Sequence, residues 1–224
     1  EVPFGSKLLF CCDTLSELKV AVEICEDLWF PDSAVQLPCV SRSHYYRKSL
    51  RQQEEILVGN KDVRGCIACC SCYEKGKCVF DDIVNEIAPK FEECDGLVVA
   101  SPVYYASANG TLISLLDRLF YSTHFEKRMK VGVSVVVARR GGLSATFDEL
   151  NKYFTICGMP VASSQYWNSV HGREQGEARE DAEGLQTMRT LARNMAFLMK
   201  SIALGKEKYG LPEQEIQQPT NFIR

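Results

Sequence analysis

From residue 55 onward the chain alternates short valine-rich apolar runs with longer stretches whose apolar residues recur at helical spacing. The runs at residues 55–58, 96–101, 131–138 and 160–167 have the length and composition of β-strands covered on both faces. Between them, Ile83, Val84, Ile87 and Phe91 share one face of a helix predicted over residues 81–93. Asp81 and Asp82 suit its positive end, and Pro89 is expected to kink it. Leu112, Leu115, Leu116, Leu119 and Phe120 mark the next helix. Thr146 and Glu149 have capping-box spacing ahead of Leu150, Tyr153 and Phe154. Leu185, Met188, Ala192, Met195, Met199 and Ile202 line a last helix over residues 181–204, and this methionine stripe reads as core. Strand and helix alternating in this order predict an α/β fold: a doubly wound parallel sheet with helices on both faces. Its ligands belong outside the carboxyl ends of the strands.

Three such strand ends carry unusual residues. Ser101, Pro102, Val103, Tyr104, Tyr105, Ala106 and Ser107 combine a turn-forming proline, adjacent aromatics and small residues, and suit a planar ligand. Arg139, Arg140, Gly141 and Gly142 pair guanidinium donors with flexible backbone amides, which suits an anionic or carbonyl-rich partner. Residues 163–172 add Tyr166, Trp167, Asn168 and His171. Each alone reads as an ordinary loop, but three at successive strand ends point to a shared pocket.

Cys66, Cys69, Cys72 and Cys78 read C-x2-C-x2-C-x5-C. Soft thiolates select iron-sulfur clusters or zinc, and a compact triplet with a fourth cysteine one short loop away can wrap a cubane cluster. Zinc prefers two knuckles with a longer spacer, and reduced structural thiols are the plain alternative. Eleven cysteines are an odd number, and no basic segment followed by a small-residue cleavage site opens the chain. Both features point to reduced thiols in the cytoplasm. The longest apolar runs are too short to span a bilayer, and a formal charge of −3 gives no footprint for nucleic acid.

In sum these residues resemble the flavodoxin-like NADPH-dependent FMN reductases and, within them, the iron-sulfur flavoproteins. The resemblance runs from about Gly59 to Arg224, through residues 59–66, the cysteine run, residues 95–105, residues 139–142 and residues 165–167. It implies a five-stranded sheet in flavodoxin order and a homodimer or homotetramer. FMN would lie against Ser101 to Ser107 and Arg139 to Gly142, and a 4Fe-4S cluster on Cys66, Cys69, Cys72 and Cys78 would sit near the flavin. Cys70 is then a spare thiol. The implied reaction passes electrons from NADPH or NADH through flavin to a quinone, free flavin or other small acceptor, with no side chain needed as catalytic acid or base. The alternatives are an electron-transfer module without nicotinamide turnover and a remnant that has lost its flavin.

Residues 1–50 depart from that pattern, whereas residues 51–224, with a cysteine-rich loop at 65–79, form the expected flavin-binding domain. Residues 8–12 suit a first strand, with Asp13 to Ser16 as the following loop and Glu17 starting a helix. That loop lacks the Gly/Ser/Thr-rich cradle that binds phosphate, and Asp13 and Glu17 place negative charge there. Residues 1–5, 8–10 and 22–29 instead resemble a piece of the nitrilase-type glutaminase domain of glutamine-dependent NAD synthetases, with Cys25 matching the nucleophile. The base and lysine of that family have no counterpart in this stretch, so no amidase activity is expected.

Overall fold

The structure, a computed structural model, describes residues 56–59, 61–218 and 220, together with the backbone of 7–12 and 15–23. Strand β1 (Lys7–Cys12) and strand β2 (Leu15–Glu23) pair antiparallel as a two-stranded sheet. The helix expected from Glu17 is therefore a strand, and Leu18, β-branched Val20 and Val22 at every second position explain why. Asp13, Thr14, Cys25, residues 41–53 and Glu55 lie outside the described residues.

The main sheet has the order β4-β3-β5-β6. Strand β3 (Gly96–Tyr104), strand β5 (Val131–Ala138) and strand β6 (Ser169–His171) run parallel, and β4 (Ser107–Ala108) folds back antiparallel on β3. Four strands are thus present in this sheet among the described residues, against the five expected. Ile56 and Val58 are not in a strand; they pack their side chains onto the core, and a turn follows in which Lys61 N donates to Val58 O at 3.0 Å. The strand expected over 160–167 reduces to a single bridge between Val161 and Gly132. Beyond it, Ser164 Oγ lies 2.6 Å from Tyr166 O and 2.8 Å from Asn168 Oδ1, and its single proton serves one of the two. Such local side-chain bonds compete with a ladder, and pairing with β5 resumes only at Ser169.

Side chains alternate along β5. Val131, Val133, Val135 and Val137 face one core with Met188, Leu191, Ala192 and Met195 of helix α6 (Ala182–Tyr209). Val136 faces the opposite core, against Phe91 of α2 (Ile83–Glu93), Leu112, Leu115, Leu116 and Leu119 of α3 (Gly110–Ser122), and Leu150 and Phe154 of α4 (Leu143–Ile156). Burying one such valine or leucine contributes roughly 1.5–3 kcal/mol, which is why both faces of the sheet are covered. On this second face Gly132 lies under Phe154: a Cβ there would come within 2.4 Å of Phe154 Cγ. The methionine stripe is core, as its spacing predicts.

Caps fix where the helices begin. Asp82 accepts from Val84 N at the start of α2, which runs on through Pro89. Asn109 accepts from Thr111 N and Leu112 N at the start of α3. Asp181 accepts from Gly184 N at the start of α6. Thr146 and Glu149 do not form the expected capping box. Helix α4 begins earlier, behind Gly142 at φ 90°, so Thr146 lies inside it and donates to Gly142 O. Short helices α1 (Ser71–Lys75) and α5 (Glu177–Glu180) complete the described elements. Among the described residues no helix is long and apolar enough to cross a membrane.

Candidate functional site

Two groups of predicted residues come together. The first lies along the carboxyl edge of the main sheet. β3 runs further than its apolar run at 96–101 suggests, so Pro102, Val103 and Tyr104 are strand rather than loop, and the turn is confined to Tyr105 and Ala106. Both of these have positive φ, 51° and 61°, the geometry that a two-residue hairpin of right-handed twist demands. Neither is glycine, so each holds roughly 1–2 kcal/mol of backbone strain. The turn presents Tyr105 wholly to solvent and leaves Tyr104 44% exposed.

The next loop packs against this hairpin. A Cβ on Gly142 would lie 2.8 Å from Val103 Cγ1 and 2.9 Å from Ala106 Cα, so the end of the Arg139–Gly142 loop packs on the hairpin at Gly142. Arg139 and Arg140 are exposed. The ladder then brings His171 opposite Ala138, and Gly172 N donates to Ala138 O. The third strand end therefore contributes His171 and Gly172. Tyr166 and Trp167 precede β6 instead of ending a strand, and their rings meet each other at 4.7 Å. Ser101 is buried and engaged internally, donating to Pro102 O and accepting from Asn109 N. Its role is to fix the start of α3 under the edge. Exposed tyrosines on the hairpin and exposed arginines on the next loop suit a planar, anionic ligand such as a flavin. Leu15–Glu23 is a strand, so among the described residues no helix follows β1 to receive a phosphate.

The second group is the cysteine run. Cys66, Cys69, Cys70, Cys72 and Cys78 wall one open, shallow cleft with Ile67, Val79, Phe80, Arg118, Tyr121 and Ser122. Cys70, read as a spare thiol, belongs to the same wall. Ala68 and Cys70 take positive φ, 51° and 57°, winding the chain tightly enough to place the triplet on one side. Backbone strain of this kind persists where the surroundings demand it. Cys66 and Cys69 are exposed, Cys72 is buried and Cys78 is half-buried. Burial pushes the Cys72 thiol up, and the Ser71 amide and hydroxyl beside Cys69 hold its thiol below the ordinary range. Among the described residues no three His, Cys, Asp or Glu side chains close on a single metal ion. Ser122 Oγ, on the wall, is buried without a hydrogen-bond partner. Five thiols and an unsatisfied hydroxyl around one cleft fit a thiolate-held group that carries acceptor atoms of its own.

Three residues that the motif reading passed over build this cleft. Asn85 Nδ2 donates to Cys78 O and Phe80 O, and its Oδ1 accepts from Cys78 N. Arg118 and Asp82 form a pair at 2.7 Å with Arg118 only 1% exposed. Burial opposes both charges, but the hydrogen bonds between them more than offset it, holding Asp82 below and Arg118 above the ordinary ranges. Helix α3 links the two groups, from Asn109 at the sheet edge to Arg118 and Tyr121 at the cleft. The rise of an α-helix puts Arg118 about 12 Å along the axis from Gly110.

A family model described as NADPH-dependent FMN reductase matches residues 47–174. An iron-sulfur flavoprotein of Methanocaldococcus jannaschii is 34% identical over 159 residues, covering 67% of this chain and 82% of that protein. An iron-sulfur flavoprotein of Methanosarcina thermophila is 30% identical over 161 residues, covering 70% of this chain and 83% of that one. The solved structure of RosB with a bound 8-demethyl-8-formylriboflavin-5'-phosphate intermediate aligns with a TM-score of 0.51 at 15% identity, over 77% of this chain and 80% of that one. The likeness to RosB shows a shared flavodoxin-like fold.

Proposed function

The chain belongs to the NADPH-dependent FMN reductases, among the iron-sulfur flavoproteins, and from that premise we propose that it passes electrons from NADPH or NADH through FMN and a 4Fe-4S cluster to a small-molecule acceptor. The observation that carries the cluster half of this reading is the gathering of Cys66, Cys69, Cys72 and Cys78 around one cleft. Four cysteines at C-x2-C-x2-C-x5-C spacing suit a cubane better than a single zinc, which prefers two knuckles with a longer spacer. Cys70 is then a thiol of the wall without a ligand's role.

FMN supplies hydride acceptance and onward transfer of electrons; the protein binds and orients it. Tyr104 and Tyr105 give the ring an aromatic wall, the Gly141 and Gly142 amides offer donors, and Arg139 or Arg140 balances negative charge on the reduced ring. Ser101, Pro102, Val103, Ala106 and Ser107 shape the edge, and no side chain acts as acid or base. Because residues 7–12 and 15–23 are paired strands and the sequence between them lacks a Gly/Ser/Thr-rich run, FMN binding is weaker than an intact phosphate loop would give. A homodimer or homotetramer and a cytoplasmic setting belong to the same proposal.

The test is calorimetric titration of the purified protein with FMN, followed by anaerobic addition of NADPH and of NADH. Binding with nicotinamide oxidation supports the reading. FMN binding without nicotinamide oxidation leaves an electron-transfer module, and no FMN binding removes the flavin assignment.

A further inference from the structure

Arg118 is the bulkiest of the fully buried side chains among the described residues, and all five of its N–H donors are engaged. Nη1 donates to Asp82 Oδ2 at 2.7 Å and to Arg64 O at 3.2 Å. Nη2 donates to Asp82 Oδ1 at 2.9 Å and to Phe80 O at 3.4 Å, and the guanidinium lies over the Phe80 ring, 5.0 Å from its centroid. Those four bonds tie the chain just before Cys66 to the chain just after Cys78. The fifth does something else: Nε donates to Cys78 Sγ at 3.2 Å. The two carboxylate oxygens and two backbone carbonyls already satisfy the needs of a buried ion pair. A thiol sulfur is a weak acceptor, so a charged donor aimed at it gains most when the sulfur carries metal-bound, thiolate charge.

We propose that Arg118 is a positioning residue that sets the electron affinity of the centre held by the cysteines, acting through Cys78. This rests on the cluster reading above. Hydrogen bonds to ligand sulfurs and the local net charge are among the levers that fix a cluster's reduction potential. A cationic N–H on one ligand favours the state with one more electron, so Arg118 raises the potential. Asp82 moderates that effect by neutralising most of the guanidinium charge while orienting its Nε–H toward the sulfur. The pair thereby gives two substitutions with opposite consequences. Arg118→Gln removes the cation and the charged donor, whereas Asp82→Asn leaves the cation in place with its counter-charge gone. Asparagine also caps helices well, so α2 keeps its start.

The experiment uses the full chain and both variants, each reconstituted anaerobically with iron and sulfide. Iron is counted first, and dithionite then titrates one electron into each centre while electron paramagnetic resonance follows the reduced form. Arg118→Gln is expected to lower the potential by about tenfold in the oxidised-to-reduced ratio, about 59 mV for one electron. Asp82→Asn is expected to raise it. A purely structural role predicts loss of stability with no movement of the potential. Shifts below about threefold in both variants, or movement in the same direction, overturn the proposal. If Arg118→Gln does not fold, Asp82→Asn decides alone: a rise supports the proposal, and a fall or no change overturns it. A wild-type chain that takes up no iron and sulfide sinks the cluster reading and this inference together. A loaded wild type whose variants do not shift sinks this inference only.

Discussion

Glu149 of α4 reaches across to the β3–β4 hairpin and accepts from Ser107 Oγ at 2.9 Å, with Ala108 N donating to the same carboxylate oxygen at 2.9 Å. This carboxylate anchors a turn that holds two strained residues and would otherwise be free to relax. Glu149→Ala is expected to cost about 1–3 kcal/mol, the range for stranding buried polar partners. It should also loosen the Tyr104–Tyr105 wall, lowering FMN affinity about tenfold. Glu149→Gln, which still offers an acceptor, should recover most of both. Equal FMN affinity in wild type and Glu149→Ala would detach the hairpin from flavin binding.

The turn itself gives a second prediction. Ala106→Gly relieves one left-handed alanine at the cost of a floppier unfolded chain, so a small stabilisation of up to about 1 kcal/mol is expected. Gly142→Ala does the reverse. It forces a side chain into φ 90° and into contact with Val103 and Ala106 at once. Chemical denaturation should show a loss of roughly 1–3 kcal/mol, the range for overpacking, together with weaker FMN binding. An alanine tolerated there without cost would mean that the two loops do not pack as described.

Ser122 separates the empty cleft from the filled one. Replacing it with alanine removes a buried hydroxyl that has no partner. The iron-free protein should therefore gain roughly 1 kcal/mol, read as a higher Tm. The iron-loaded protein should gain less or lose stability, because the hydroxyl then has acceptors to bond. Identical gains in both forms would place Ser122 outside the binding wall.

Asp181 carries the pH dependence at the sheet edge. Burial opposes its charge, but the amides of Gly184 and His171 hold its carboxyl below the usual range. A depressed folded pKa means a contribution fully present above the unfolded value of about 3.9 and lost as pH falls through the folded value. Asp181→Asn should flatten that acid loss while preserving the cap, and Asp181→Ala should cost about 1 kcal/mol at neutral pH. Urea denaturation at pH 3 and pH 7 measures both.

Much of this was legible from spacing alone. The α2, α3 and α6 faces follow from a 3.6-residue period, and the cysteine cleft follows from four thiols within thirteen positions. Arg118 was hidden because a charged residue in a helix is usually solvated. Its signal was position: it falls three residues after Leu115, on the stripe that becomes buried. The Tyr105–Ala106 turn was illegible because neither residue is the glycine or asparagine that normally marks such a hairpin. Residues 160–167 misled for the opposite reason. Their apolar start looks like a strand, but Ser164 and Asn168 satisfy the chain locally.

The absorption spectrum of the protein, purified anaerobically, supplied with FMN and recorded before and after NADPH, tests the central claim most directly. The account predicts flavin bands on a broad iron-sulfur background that both bleach on reduction, with Cys66→Ser, Cys69→Ser, Cys72→Ser and Cys78→Ser each removing the background and Cys70→Ser leaving it. A spectrum with no flavin bound, or stoichiometric zinc in place of iron, would contradict it.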